Sequence, residues 1–416
     1  MGSRTANPGP FASWELRLAT VGVVAVLLAR AGLVPGGGLG YDLLLALIGR
    51  RFVLAVGRGT SPRAAAARSF AAAWPGAVAA VVLAVGWILL TRDVSHDALV
   101  RGEALAVLGG YGNWHQLAFG PSEVAGSSTI SPLQGAWAWS VLVQVAAVWL
   151  LVWTGVVALA RHRAASGRAG RPISTALVIS SVVAAAHLLV AVVVVVMASS
   201  DGVALSTATR GLGFSGAALV TVALLKRPDV LDRLSVELVR RTALAVFGCL
   251  VLVSSWSSGI GVRAGGILAA VVAAALVVSL GLDGAPVERT ERGSGLATRP
   301  VAALDELVVF TIVWVAGPAM AIGRGDRLGL PWPVGVIVGL VLSGVAVGVT
   351  VSAARRRQPG EAALERRRVL GPAGVAVLMI VVFSVTGAFH WDRPMTREQW
   401  LCRNEPERVE AAACDS

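Results

Sequence analysis

Arg30 and Asp42 flank a glycine turn at 35–40 that reads PGGGLG, and they are the first two residues whose types could do chemistry together. A guanidinium keeps its proton at any ordinary pH and suits phosphate or carboxylate. Arg30 can therefore hold an anion or lock onto Asp42, but it cannot act as a general base. Counted from Arg17, it lies about 20 Å along a helix, close enough to a membrane face to snorkel. The plainer reading is an arginine reaching for headgroups and an aspartate capping the next helix. His187, in VVAAAHLLVAV, is an intramembrane proton or ligand site, or a histidine hydrogen-bonded between helices. His115 and Asp97 share a polar stretch with Trp114. No HExxH, CxxC, P-loop or G-x-S-x-G occurs, and the five histidines give metal binding no support.

The elements that must position these residues are apolar. The chain of 416 residues is 56% hydrophobic and only 14% charged, where soluble proteins average about a quarter charged. Its mean hydropathy is +0.73, so we expect an all-α, polytopic integral membrane bundle. Runs long enough for about 20 helical residues lie near 16–36, 41–57, 71–90, 136–160, 173–198, 211–226, 241–261, 264–283, 307–323, 331–353 and 369–389, which predicts about eleven transmembrane helices. Net charge +12 would suggest nucleic acid in a soluble chain. Here the arginines gather between apolar runs, as in RHRAASGRAGR and RRRQPGEAALERRR, which points to cytoplasmic loops and no nucleic-acid partner. The N-terminus is then inside, and an odd number of crossings sends the C-terminus out. No cleavage site follows the first run, so it reads as a retained helix. Expected regions are a cytoplasmic segment 1–15, a transmembrane domain 16–389 and an extracytoplasmic tail 390–416. The Ala, Val, Gly and Arg bias with almost no Lys fits a bacterial cytoplasmic (inner) membrane.

One long extracytoplasmic loop, 91–135, is predicted, ending in an aromatic belt of Trp114, Trp137 and Trp139. The tail carries Cys402 and Cys414, which in an oxidising compartment are expected to pair. Cys249 lies in an apolar run and reads as a small core residue.

Four segments in order resemble the acyltransferase-3 family, the membrane O-acyltransferases that include O-antigen acetylases. Ala29-Arg30-Ala31-Gly32 with 35–49 is similar to Y-H-A-G then P-G-G-F-x-G-V-D-x-F-F-x-L-S-G, with Gly37, Gly40, Asp42 and Gly49 in place. Asn113-Trp114 and then Ser131-Pro132-Leu133 through Trp137 to Gln144 resembles N-W-Y followed by S-P-L-x-H-x-W-S-L-x-x-E-E-Q-F. Ser206-Thr207-Ala208-Thr209-Arg210 through Gly216 is similar to S-T-x-x-R-x-x-E-L-x-x-G. Arg299-Pro300 through Trp314 and Pro318 resembles R-P-L and then Y-L-W-H-W-P.

The resemblance implies an acyl group moved from a cytoplasmic acyl-CoA co-substrate to a hydroxyl of an envelope glycan, with no bound cofactor. Arg30, Asp42, Gln144 and Arg210 fall at the family's site positions, and the basic residues Arg58, Arg63 and Arg68 are candidates to hold the donor's phosphates. What is retained is mostly architectural, however. The family histidine falls at Arg30, the paired carboxylates at Leu142 and Val143, and the third-segment glutamate at Gly213. We therefore expect a degenerate pseudoenzyme that binds a glycan, glycolipid, membrane lipid or partner protein. The alternatives are an active O-acyltransferase using another base such as His115 or Asp97, and a transporter of lipid or acyl substrates.

Overall fold

A computed structural model describes residues 13–34, 39–57, 60–91, 94–119, 132–166, 172–197, 207–226, 242, 245–249, 299–324 and 330–356. All regular structure among them is helical. The helices are α1 (Ser13–Arg30), α2 (Gly40–Gly57), α3 (Pro62–Thr91), α4 (Val94–Gly109), α5 (Gly112–Phe119), α6 (Trp137–Ala165), α7 (Pro172–Met197), the single turn α8 (Thr207–Arg210), α9 (Leu212–Lys226), α10 (Arg299–Arg324) and α11 (Trp332–Arg356). A short 3-10 turn, Gln134–Ala136, leads into α6. The chain divides into two compact units. The first comprises Met1–Ala72, Leu142–Ser199 and Thr207–Val309, and the second Ala73–Val141, Ser200–Ser206 and Phe310–Ser416.

The first unit is built around α2. Every residue from Leu43 to Ile48 is buried, and a helix apolar on all faces belongs in the middle of a bundle rather than at its edge. Helix α1 stops after Arg30 because Gly32 turns the backbone left-handed, with φ 73°. The chain returns so that the N-terminus of α2 lies on α1, with Gly40 against the Gly22 carbonyl. Helix α9 packs on α2 and α7, and there Phe214 sits between Phe52 and Trp149, with ring centroids 6.2 and 6.3 Å away. A partly buried charge network ties α1, α2 and α10 in this unit. Glu15 of α1 pairs with Arg50 and Arg51 of α2, and Arg51 pairs also with Glu306 of α10.

The second unit holds an aromatic row, Trp74, Trp139 and Trp314, at 5.4 and 6.4 Å between successive centroids. Trp139 donates its indole N–H to the Val107 carbonyl at 3.0 Å, and the Gly112 amide donates to Ser140 Oγ at 2.8 Å, which fastens the α4–α5 pair to the start of α6. Gly323 of α10 meets the backbone of α11 at Gly335 and Gly339. The stretch read as a loop from 91 to 135 carries α4 and α5 instead, because Val100, Ala104, Ala106 and Val107 recur on a buried face.

The expectation of about eleven crossings is corrected. Among the described residues four helices are long and apolar enough to cross a membrane, over Pro62–Ile88, Trp137–His162, Glu306–Gly323 and Trp332–Ala353. Helices α1 and α2 have 18 residues each and carry Glu15, Arg17 and Arg30, or Asp42, Arg50 and Arg51. The apolar stretch of α7 is confined to Val178–Val194 and α9 has 15 residues. An apolar run is thus a poor measure of a spanning helix when its charges are satisfied inside the protein. The orientation drawn from an odd number of crossings loses its premise with the count. The runs at 264–283 and 369–389 lie outside the described residues. Cys249, expected in the core, is exposed. What stands is a membrane protein with several apolar helices.

Candidate functional site

Asp42 sits in the first turn of α2 with none of its surface exposed. Helix α9 starts directly against it. A Cβ at Gly213 would lie 2.7 Å from the Asp42 carbonyl oxygen, and one at Gly49 would collide with the backbone of Phe214. Two glycines therefore let α2 and α9 touch at the backbone, a distance no larger residue permits. This approach brings Arg210, at the end of α8, over Asp42, 168 positions away in sequence, and its Nη1 donates to Oδ2 at 2.8 Å. A charge so buried persists only where a partner offsets its desolvation, and the charge-assisted bond supplies that partner. The other carboxylate oxygen, Oδ1, is buried with no hydrogen-bond partner among the described residues.

The turn that carries Arg210 is held from two further sides. Thr207 donates its hydroxyl to Gln144 Oε1 of α6. His187 of α7 places Nε2 3.4 Å from the Thr207 carbonyl and Nδ1 2.8 Å from Ser215 Oγ. Trp149 of α6 donates its indole N–H to the same Ser215 oxygen at 2.9 Å. The result is a polar centre in the apolar first unit, comprising one carboxylate, one guanidinium, one amide, two hydroxyls and one imidazole. It can accept a hydrogen bond at Asp42 Oδ1. Both ring nitrogens of its imidazole are occupied.

Asp42, Gln144 and Arg210 thus meet around one four-residue turn, although they come from three separate parts of the chain. Arg30 ends α1, half-buried and engaged with other groups. The lock between Arg30 and Asp42 that the glycine turn suggested is not formed, because Arg210 takes the aspartate. Arg63 is exposed and Arg68 half-buried on α3, both in the first unit. Arg58, Cys402 and Cys414 lie outside the described residues. Asp97 and His115 belong to α4 and α5 of the second unit. His115 packs its ring edge on Gly102, where a Cβ would lie 2.8 Å from Nε2. Burial there pushes its imidazole below the usual range, since desolvation disfavours the cation. Among the described residues no group of three or more His, Cys, Asp or Glu side chains is placed to hold a metal ion.

Sequence reasoning passed over Ser215, Trp149 and the Glu15–Arg50–Arg51–Glu306 network. Adjacent arginines inside the apolar run 41–57 were a legible signal for the last. Ser215 and Trp149 gave none, since a serine beside glycine and a tryptophan in an apolar helix are ordinary there. Fold and centre together define a helical membrane protein with a buried ion pair at its polar site. No family model, curated protein or solved structure matches the chain.

Proposed function

We propose that the chain is a membrane protein of acyltransferase-3 type that binds a hydroxyl-bearing envelope glycan or glycolipid at the Asp42–Arg210 centre and transfers no acyl group to it. The observation that supports this reading is the meeting of Asp42, Arg210 and Gln144 at one turn, because they are three of the four residues the motif resemblance singles out and they are far apart in sequence. Asp42 Oδ1 is available to accept a ligand hydroxyl. The chemistry of transfer is what the site lacks. Deprotonating an acceptor hydroxyl needs a base of moderate pKa, and the position that would supply it is Arg30, which stays protonated. His187 does not stand in for it, since Ser215 and Thr207 occupy its two nitrogens.

The test is a transfer assay in membranes carrying the full chain, with radiolabelled acetyl-CoA and envelope glycan, on wild type, Arg30→His and Arg30→Ala. The expected outcome is no transfer by wild type or Arg30→Ala, and measurable transfer by Arg30→His. Transfer by wild type that survives in Arg30→Ala overturns the reading, because a base other than residue 30 would then be at work. Mass spectrometry of glycolipid co-purified with wild type and lost in Asp42→Asn tests the binding half separately.

A further inference from the structure

We infer that His187 is a positioning residue for Arg210, held as the neutral Nε2–H tautomer by the Thr207 carbonyl. The polarity of the network assigns the protons. An indole nitrogen can only donate and a peptide carbonyl can only accept, and these stand at opposite ends of one chain of groups: Trp149 Nε1, Ser215 Oγ, His187 and the Thr207 carbonyl. The contact with Thr207 is a hydrogen bond only if Nε2 carries hydrogen. In a neutral ring Nδ1 is then bare and accepts from the Ser215 hydroxyl, whose oxygen in turn accepts from Trp149. In the neutral ring the opposite tautomer would leave Nε2 bare against the Thr207 carbonyl, two acceptors facing each other.

The far end of this chain is the turn that carries Arg210. Thr207 and Arg210 begin and end α8, so fixing the Thr207 carbonyl from α7 and its hydroxyl from Gln144 sets where the guanidinium points. Gly211 makes the approach possible. A Cβ there would lie 3.0 Å from His187 Cε1 and 2.6 Å from the Thr207 carbonyl oxygen. The inference rests on the proposed function only for what the ion pair binds, because the arrangement of the turn does not depend on the ligand.

The experiment uses the full chain in detergent. In 15N-histidine-labelled protein at neutral pH, the two-bond 15N–1H spectrum should contain a resonance set of the Nε2–H tautomer that disappears in His187→Gln. Trp149→Phe leaves the Thr207 carbonyl in place and should keep that set. Amide exchange over 207–211 is then compared in two variants. His187→Gln keeps a donor near the Nε2 position and should stay within twofold of wild type, whereas His187→Asn keeps only the acceptor near Nδ1 and should exchange roughly two- to tenfold faster. A role in packing alone predicts equal effects of both variants. A wild-type spectrum with no Nε2–H set overturns the inference even if every variant fails to fold, and so does equal exchange in the two variants. None of these readouts involves the glycan or acetyl-CoA, so failure here and failure of the proposed function are told apart.

Discussion

At the scale of single residues the energetics centre on Asp42 and Arg210. Removing one member of a buried pair leaves the other uncompensated, at a cost of about 3–5 kcal/mol, whereas replacing both by apolar groups of similar size is close to neutral. Arg210→Ala should therefore lower the thermal midpoint in detergent markedly, while Asp42→Leu with Arg210→Met should recover most of the loss and abolish ligand binding. A double mutant no more stable than Arg210→Ala would mean that the pair is not the source of the effect. His115 gives a second residue-scale prediction. Burial holds its folded pKa below the ordinary imidazole value of 6.5, so as pH falls through that value the unfolded chain takes up a proton that the folded chain refuses. Stability contributed by this residue is then full above about pH 6.5 and declines as pH is lowered, since unfolding becomes linked to proton uptake. The slope of unfolding free energy against pH between 7 and 5 should be shallower in His115→Gln than in wild type.

Among elements, the α2–α9 contact is the joint on which the site depends, and it is made by glycines. Gly213→Val puts branched carbons where the Asp42 carbonyl lies, and overpacking of this kind costs about 1–3 kcal/mol or more. We expect lower yield of folded protein and loss of the ligand-binding signal, read by size-exclusion of the detergent-solubilised chain, whereas the same change at Gly155, which has open space around it, should leave both unchanged. Much of this joint was legible beforehand. Asp42, Gly49 and Arg210 stand in segments that the motif resemblance had singled out, and that resemblance associated them before any distance was known. What joins them was not legible. Ser215 and Trp149 owe their roles to a meeting of α6, α7 and α9, and nothing local in their neighbourhoods marks it. The same limit explains the crossings. Arg50 and Arg51 lie inside an apolar run, and the carboxylates that satisfy them, Glu15 and Glu306, come from helices remote in sequence, so the run alone could not reveal a charged, protein-buried helix.

For the whole molecule the question is which apolar surface meets lipid, and α11 answers it best. Only 22% of its apolar window is buried, and Ile337, Val341, Val345 and Val349 are each more than half exposed. These positions recur every four residues on one face. The opposite face is spent on α10, where Gly335 and Gly339 meet Gly323 and Met320. Such a helix has no reason to be this apolar in water, where an exposed patch of this length is an aggregation hazard, and every reason in a bilayer. Val341 is near the middle of Trp332–Ala353, so an arginine there should raise the apparent free energy of insertion by about 2.5–3.5 kcal/mol. The measurement is a translocon glycosylation-site assay on the α11 segment, with Val341→Arg compared against Arg356→Ala at the helix end. Val341→Arg should shift the inserted fraction sharply and Arg356→Ala hardly at all. Equal insertion of wild type and Val341→Arg would mean that α11 does not span a bilayer, and that its exposed face is covered by protein instead.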